Sequence, residues 1–144
     1  MIDILLSTYN GEKYISKQID SILNQTYTEW RLLVRDDCSS DSTLTILKQY
    51  QKKYSDKIYL LSDNINQNIG VIKSFEFLLS QSTNNYIMFC DQDDIWLPNK
   101  IQESLENIIS LEKTYPNTPI LVHCDLSIIN KNEEIIHKSL WKYA

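Results

Sequence analysis

Short apolar runs alternate with amphipathic stretches along this chain, and that alternation constrains the fold more than any other feature of the sequence. Each run is rich in aliphatic and aromatic residues, and the stretch that follows has apolar residues every three or four positions. Buried strands and amphipathic helices produce these two patterns. Strands that alternate with helices form a largely parallel sheet. The sequence therefore predicts an α/β fold with a mostly parallel sheet flanked by helices.

The element boundaries follow from these runs and from the polar residues between them. Strands are expected at 2–6, 30–35, 57–61, 86–90 and 120–123, helices at about 12–24, 42–54, 71–79 and after Pro98, a turn at 64–68, and a hairpin of 126–129 with 134–137. The residues expected to face the core are Ile15, Ile19, Ile22 and Leu23 on the first helix, Leu44, Leu47 and Tyr50 or Gln51 on the second, Ile72, Phe75 and Leu79 on the third, and Ile101, Leu105, Ile108 and the stem of Glu112 on the fourth.

Length, charge and cysteine content narrow the class of protein. A chain of 144 residues with 42% hydrophobic and 23% charged residues is typical of one globular domain, here spanning 1–144. The net charge of −5 argues against nucleic acid as a partner, because phosphate binding needs a basic face. No apolar run approaches the roughly 20 residues of a transmembrane helix. The three cysteines fit neither a metal site nor a disulfide framework, which indicates a reducing, cytoplasmic setting.

Glycine is rare, which limits how the chain could bind a nucleotide. The only glycines are Gly11 and Gly70. A phosphate-binding P-loop and a Rossmann G-x-G-x-x-G turn both need more glycines, closer together. Any nucleotide site in this chain must therefore use a different device.

Polar clusters follow three of the predicted strands, at the point where each strand ends. They are Ser7-Thr8-Tyr9-Asn10, Asp36-Asp37 and Asp91-Gln92-Asp93-Asp94. The carboxyl ends of parallel strands lie along one edge of an open α/β sheet, where ligands bind. We therefore expect the three clusters to share one site.

The acidic cluster after the fourth strand has the spacing of a metal site. Asp91 and Asp93 are separated by one residue and could both reach Mg²⁺ or Mn²⁺, which prefer oxygen ligands. The alternative is an acidic loop at the start of the helix near Pro98, where a carboxylate is stabilised by the helix dipole. That alternative accounts for one carboxylate rather than three. Local spacing alone leaves both interpretations open.

The other candidate residues have strong structural alternatives. Asp36 and Asp37 could accept from a nucleobase N–H, although aspartate is also common in turns and helix caps. The segment 7–11 could equally be a plain strand-to-helix turn. Lys73 could meet a phosphate or be merely solvated, and Trp96 could stack on a substrate ring or fill the core. The sequence reveals no Ser/His/Asp or Cys/His arrangement for nucleophilic catalysis.

Two long stretches resemble the nucleotide-binding part of family 2 glycosyltransferases of the GT-A fold. The segment LLSTYNGEKYISKQIDSILNQTYTEWRLLVRDDCSSDST is similar to the first βαβ unit of that family, and NINQNIGVIKSFEFLLSQSTNNYIMFCDQDDIWLPNKI resembles its continuation past the D-x-D motif. DQDDIWLPNKI with LVHCDLSIINKNEEII is most similar to bacterial rhamnosyltransferases that use dTDP-rhamnose. The resemblance covers nearly the whole chain. It implies a Rossmann-like GT-A domain of an inverting enzyme that uses dTDP-rhamnose or a UDP-sugar.

The resemblance also implies roles for particular residues. The implied nucleotide-sugar site comprises Ser7, Thr8, Tyr9, Asp36, Asp37, Lys73, Asp91 and Gln92, and the implied metal site comprises Asp93 and Asp91. Asp37, or its neighbour Asp36, would bond the N3–H of uracil or thymine, and Asp93 would bind Mg²⁺ or Mn²⁺ on the diphosphate. The implied acceptor is a cell-surface polysaccharide or glycan. Peripheral association with the inner face of the membrane would fit that role.

Two departures from the family pattern affect what we expect. Cys38 stands where the D-D-G-S turn of the family has glycine, so a positive φ there would strain the backbone. In relatives the acceptor site and catalytic base follow the point that corresponds to Ala144. We therefore expect donor binding without robust transfer by this chain alone, which would make it a truncated or excised part.

Two alternatives from other classes stay open at this point. One is a catalytically silent nucleotide-sugar-binding fragment. The other is a response-regulator-like signalling domain, which also has an α/β fold, an acidic pocket and a metal. A signalling domain would need its acidic pair after the first strand, where this chain has Ser7-Thr8-Tyr9, so the sequence disfavours it.

Overall fold

The computed structural model describes residues 1–62 and 67–142. Within the chain, contacts group into two compact units, Met1–Gln102 and Glu103–Ala144. The single domain expected over 1–144 stays a prediction. Most of the turn expected at 64–68 lies outside the described residues. In the part that the structure describes, no helix has the length and apolar character needed to cross a bilayer.

The first unit contains a four-stranded sheet in the order β3-β2-β1-β4, and every pair in it is parallel. The strands are β1 (Ile2–Thr8), β2 (Trp30–Asp36), β3 (Ile58–Leu60) and β4 (Tyr86–Cys90). The chain adds β2 and β3 on one side of β1 and then returns to pair β4 on its other side. Such a reversal of strand order opens a crevice at the carboxyl ends of the strands. The predicted parallel α/β fold is confirmed.

The central strands are apolar on both faces, because helices cover both sides of a parallel sheet. Ile4, Leu5 and Leu6 of β1 are fully buried, as are Leu32 and Val34 of β2. The register places Thr8 beside Asp36 and Leu6 beside Cys90. The polar segments that follow β1, β2 and β4 therefore begin next to one another.

A buried carboxylate fixes the opposite, amino-terminal edge of this sheet. Asp3 accepts two hydrogen bonds from Arg31, at 2.6 and 3.0 Å. It also accepts from the hydroxyl of Ser82, the backbone N–H of Thr83, and both the backbone and side-chain nitrogens of Asn84. Asp3 thus ties β1 to β2 and to the turn that precedes β4.

Residues 1–62 and 67–142 contain four helices. They are α1 (Ile15–Leu23), α2 (Thr43–Lys53), α3 (Val71–Gln81) and α4 (Lys100–Thr114). The first begins later than predicted because a turn precedes it, in which the N–H groups of Tyr14 and Ile15 both donate to the carbonyl of Gly11. As predicted, α1 buries Ile15, Ile19 and Ile22.

The predicted inner face of α3 is wrong in phase. Ser74 and Leu78 are buried, whereas Ile72 is 74% and Leu79 is 46% exposed. Phe75 is partly buried against the core cluster that contains Leu78. A prediction from apolar periodicity treats serine as a surface residue. Here the Ser74 hydroxyl is satisfied inside the protein, because it donates to the Gly70 carbonyl at 2.9 Å.

The last third of the sequence departs most from expectation. On α4 Ile101 is buried, Leu105 and Ile108 are half-buried, and Glu112 is exposed, so the predicted stripe is covered mainly at its start. No strand forms at 120–123, where Leu121 is 81% exposed. A run of strand-forming residues becomes a strand only when a neighbouring strand takes its hydrogen bonds. The predicted hairpin is present as an antiparallel pair, β5 (Ile128–Ile129) with β6 (Ile135–His137).

Candidate functional site

A cavity of about 380 Å³ lies at the carboxyl ends of β1, β2 and β4. Its walls are formed by Ser7, Thr8, Tyr9, Asp37, Asn68, Gly70, Val71, Asp91, Gln92 and Asp93. The polar segments that follow the three strands therefore meet in one cleft. Asn68, Gly70 and Val71 were not foreseen, since they come from the segment before α3 rather than from a strand end.

Two residues of the implied site do not line this cleft. Asp36 accepts from the Thr8 hydroxyl at 3.1 Å and from the Ser39 backbone N–H and hydroxyl at 3.0 and 2.6 Å. Asp36 therefore closes the loop after β2. Lys73 is exposed on the first turn of α3 and is absent from the cavity wall.

Asp37 reaches the cleft as a buried, hydrogen-bonded carboxylate. Its Oδ1 accepts from Arg35 Nη1 at 2.6 Å and from the Ile69 N–H at 2.8 Å, and its Oδ2 accepts from the Gly70 N–H at 2.8 Å. Burial raises the pKa of Asp37, but these hydrogen bonds and the charge of Arg35 outweigh it and hold the pKa below its usual range. Asp37 is therefore charged at neutral pH.

The partner of Asp37, Arg35, was missed from the sequence. It is 2% exposed and also donates to the Ser74 hydroxyl at 2.8 Å. Arg35, Asp37 and Ser74 together hold the segment that enters α3, where Gly70 has a φ of 85°. That conformation favours glycine. The available signal was an arginine that directly follows the apolar residues 32–34 and precedes an aspartate by two positions.

The loop between β1 and α1 is held from two sides. The Asn10 N–H donates to the Ser39 hydroxyl at 2.9 Å, and the Ser40 N–H donates to Asn10 Oδ1 at 2.8 Å.

Cys38 has a φ of 62°, the left-handed conformation anticipated for this turn. Tyr9 is 48% exposed, so part of its ring is open to a ligand.

On its other side this loop is held by Gln92, which lies between Asp91 and Asp93 of the acidic cluster. Gln92 Oε1 accepts from the Tyr9 N–H at 2.9 Å, and Gln92 Nε2 donates to the Tyr9 carbonyl at 3.1 Å. Gln92 therefore forms a two-point bridge between the segment that follows β4 and the segment that follows β1.

The carboxylates of the acidic cluster interact with one another. Burial raises the pKa of Asp94, and the nearby charges of Asp91 and Asp93 raise it further, while Lys100 opposes the shift. Trp96, just beyond the cluster, is 5% exposed, and its backbone N–H donates to the Ser21 hydroxyl at 3.0 Å. Trp96 therefore fills the core rather than presenting a stacking surface.

Asp91 and Asp93 fit a hard divalent cation by the chemistry of their oxygens, and both line the cleft. Among residues 1–62 and 67–142, no group of three or more carboxylate, imidazole or thiolate side chains is arranged to enclose a metal ion. Mg²⁺ in phosphate-transfer sites is commonly bound by one or two carboxylates, with water and phosphate oxygens completing its shell. The pair of aspartates suits that kind of site.

The model of the family "Glycosyl transferase family 2" matches residues 3–133. The chain belongs to glycosyl transferase family 2. The putative glycosyltransferase EpsE of Bacillus subtilis is 36% identical over 104 residues, which cover 72% of this chain and 37% of that protein. The dTDP-rhamnosyl transferase RfbG of Shigella flexneri is 35% identical over 107 residues, with 72% and 37% coverage.

A further relative in this glycosyltransferase family covers more of the chain. The UDP-Glc:alpha-D-GlcNAc-diphosphoundecaprenol beta-1,3-glucosyltransferase WfgD of Escherichia coli is 31% identical over 132 residues, covering 92% of this chain and 48% of that protein. The chain therefore spans less than half of the length of each of these three relatives.

Solved structures of glycosyltransferases share the fold. S. aureus TarS 1–349 in complex with UDP-GlcNAc superposes with a TM-score of 0.62 at 22% identity, over 89% of this chain and 40% of that chain. The mannosyltransferase PcManGT from Pyrobaculum calidifontis, in complex with GDP-Man and Mn²⁺, gives a TM-score of 0.65 at 19% identity, over 73% and 31%. The fold is thus the GT-A type that the sequence resemblance implied, and the signalling-domain alternative is set aside.

Proposed function

We propose that this chain is the donor-binding part of an inverting glycosyltransferase and that it binds a nucleoside-diphosphate sugar together with Mg²⁺ or Mn²⁺. The observation that supports this most directly is one cleft that combines Asp91 and Asp93 with Tyr9 and Asp37. Two carboxylates suit a metal on a diphosphate, and an exposed ring with a buried carboxylate suits a nucleobase. The family membership of the chain agrees with this assignment.

Asp37 is our candidate for recognition of the base. A carboxylate has about four acceptor sites. The hydrogen bonds from Arg35, Ile69 and Gly70 use three of them, two on Oδ1 and one on Oδ2. Within residues 1–62 and 67–142, these bonds leave one acceptor site on Oδ2, which matches the single N3–H of uracil or thymine. Because its pKa is lowered, Asp37 stays an acceptor at neutral pH.

Asp93 and Asp91 are our candidates for metal ligands, and Ser7, Thr8 and Tyr9 for the wall of the base and ribose pocket. When bound, a divalent ion would neutralise the charge that develops on the departing nucleoside diphosphate. The chain's own residues would orient the donor so that its anomeric carbon is open to the acceptor hydroxyl. A carboxylate acting as general base would deprotonate that hydroxyl.

The donor and acceptor are proposed only by class. RfbG is named for dTDP-rhamnose and WfgD for UDP-glucose and a lipid-diphosphate-linked sugar, so both pyrimidine donors are retained and a glycan acceptor is proposed. An acceptor on a membrane lipid would place the protein peripherally at the cytoplasmic face. The three cysteines form no disulfide with one another, which agrees with a reducing compartment.

Calorimetry with UDP and dTDP, with and without Mn²⁺, tests this proposal. We expect metal-dependent binding by the wild-type chain, and a loss of at least about tenfold in Asp93→Ala, because this substitution removes a metal ligand. Asp56→Ala is the matched control, since Asp56 is exposed and lies outside the cleft. A folded chain that binds neither nucleotide in the presence of metal would overturn the proposal.

The second candidate is a nucleotide-sugar-binding fragment without transfer activity. The cleft residues that we assign bind the donor and the metal, and we assign none of them to deprotonate an acceptor. We expect donor binding without robust transfer. Sustained release of nucleoside diphosphate in the presence of a glycan acceptor would contradict this expectation.

A further inference from the structure

The D-x-D segment is attached to the β1–α1 loop by one side chain. The two amide atoms of Gln92 pair with the two backbone polar groups of Tyr9, as two strands would pair. The two residues are 83 positions apart in sequence. The carboxylates on either side of Gln92 belong to Asp91 and Asp93, and all four residues line the cleft.

Gly11 provides the space for this bridge. A Cβ placed on Gly11 would collide with Oε1 and the amide carbon of Gln92. The φ of Gly11 lies outside the left-handed region, since Gly70 is the glycine with a positive φ in the described residues. Backbone conformation therefore does not require glycine at position 11, but the bridge does, because a Cβ there would displace the end of the Gln92 side chain.

We propose that Gln92 is a positioning residue that sets Asp91 and Asp93 at a fixed distance from Tyr9. The inference rests on the proposed function, because it assigns the carboxylates to a metal and Tyr9 to the base and ribose. A nucleoside diphosphate spans both groups at once. The bridge therefore couples the metal end of the ligand to its base end.

The local structure supports this role. Residues 91–98 contain no helix or strand, so regular backbone hydrogen bonds do not fix the carboxylates. Gln92 is only partly buried, and its contacts with Tyr9 are polar. Loss of the bridge should therefore alter the cleft more than it alters the core.

The test uses Gln92→Met in the full chain, because methionine keeps the length of the side chain and removes both hydrogen bonds. The first readout is hydrogen exchange at the Tyr9 amide without ligand, which we expect to be slowed in the wild type and fast in the variant. The second is the affinity for UDP, with and without Mn²⁺. We expect the Mn²⁺-dependent part to fall by about tenfold, as for other residues that orient metal ligands.

Gly11→Ala disturbs the same bridge while residue 92 remains glutamine, because the added Cβ would collide with the Gln92 amide. We expect it to speed exchange at the Tyr9 amide and to weaken Mn²⁺-dependent UDP binding, as Gln92→Met does. Gln81→Met is the matched control, since Gln81 is exposed at the end of α3 and lies outside the cleft. We expect it to change neither readout.

The outcomes separate this inference from the proposed function. If the wild type shows no Mn²⁺-dependent nucleotide binding, the proposed function and this inference both fail. If the wild type binds but Gln92→Met keeps a protected Tyr9 amide, or loses that protection with unchanged Mn²⁺-dependent affinity, only the inference fails. A thermal midpoint close to that of the wild type is expected for Gln92→Met, so that weakened binding reports on the cleft rather than on unfolding.

Discussion

Arg35 and Asp37 form an ion pair of 2.6 Å between side chains that are only 2% and 3% exposed. The two residues are two positions apart, and the ladder continues to Asp37, whose N–H donates to the Thr8 carbonyl at 2.8 Å. Alternate residues of a strand point to the same face, so the pair forms on one side of the sheet. Together with Ser74 it connects the end of β2 to the start of α3.

Arg35→Met should destabilise the protein strongly, because Asp37 would keep a buried charge without its partner. We expect the free energy of unfolding to fall by about 3–5 kcal/mol, as for other broken buried pairs. Urea unfolding of the variant and the wild type measures this. Lys48→Met on the exposed face of α2 is the control, and it should change stability by no more than about 0.5 kcal/mol. Equal losses in the two variants would contradict the prediction.

Asp3 should make the protein sensitive to acid. Burial raises its pKa, but hydrogen bonds from Arg31, Ser82, Asn84 and Thr83 outweigh it and place the pKa far below its usual value. The unfolded chain therefore takes up the proton first, and the stability due to this carboxylate is present above an ordinary aspartate pKa of about 3.9 and is lost as the pH falls.

Urea unfolding between pH 7 and pH 3 tests the role of Asp3. We expect Asp3→Asn to be less stable than the wild type at pH 7 and to lose less stability as the pH falls below about 5. Asp56→Asn, at an exposed turn residue, should show the same dependence of the free energy of unfolding on pH as the wild type. The prediction fails if the free energy of unfolding of Asp3→Asn falls with pH as steeply as that of the wild type.

Cys38→Gly should stabilise the protein, because Cys38 has a φ of 62° and a Cβ in the left-handed region costs roughly 1–2 kcal/mol. The greater freedom of glycine in the unfolded chain offsets part of that gain, so we expect a net gain of about 0.5–1 kcal/mol. Thermal and urea unfolding measure it. Cys124→Gly, at an exposed cysteine without a positive φ, should give no gain in stability. A loss of stability in Cys38→Gly would show that the backbone at Cys38 is not strained.

Tyr9→Ala should weaken nucleotide binding if the ring supports the base. Stacking of a base on an aromatic ring is worth about 1–3 kcal/mol, so we expect roughly a tenfold or greater loss for UDP and dTDP alike. The loss should be similar with and without Mn²⁺, unlike that in Asp93→Ala. Tyr14→Ala is the control, since Tyr14 is 51% exposed and does not line the cleft. Calorimetry that finds equal affinities in Tyr9→Ala and the wild type would exclude stacking.

The sheet could be predicted because its strands are local apolar runs, and their parallel order places the polar segments after them together. Residues 120–123 have the same local character, yet no strand forms there, because pairing depends on a partner that the local sequence does not specify. The phase of α3 was wrong for a related reason. Ser74 is buried and bonds the side chain of Arg35 and the backbone carbonyl of Gly70. Apolar periodicity reveals neither contact, because both are polar and Arg35 is also distant in sequence.

The candidate site could be predicted only as a set of strand ends. The sequence could not distinguish Asp36 from Asp37, because both follow the same apolar run. The structure separates them by their contacts: Asp36 bonds Thr8 and Ser39, whereas Asp37 bonds Arg35 and lines the cleft. The contribution of Asn68 and Gly70 depends on how the chain returns to the sheet, which no local pattern reveals.

The close approach of Gly11 to the Gln92 amide has a consequence for protein engineering. We expect that the D-x-D segment cannot be exchanged alone, because its middle residue, Gln92, packs against Gly11, about 80 residues earlier in the chain. A segment grafted from a relative with a different middle residue would leave a gap or a collision at position 11. Exchanges of this segment should therefore change residues 11 and 92 together.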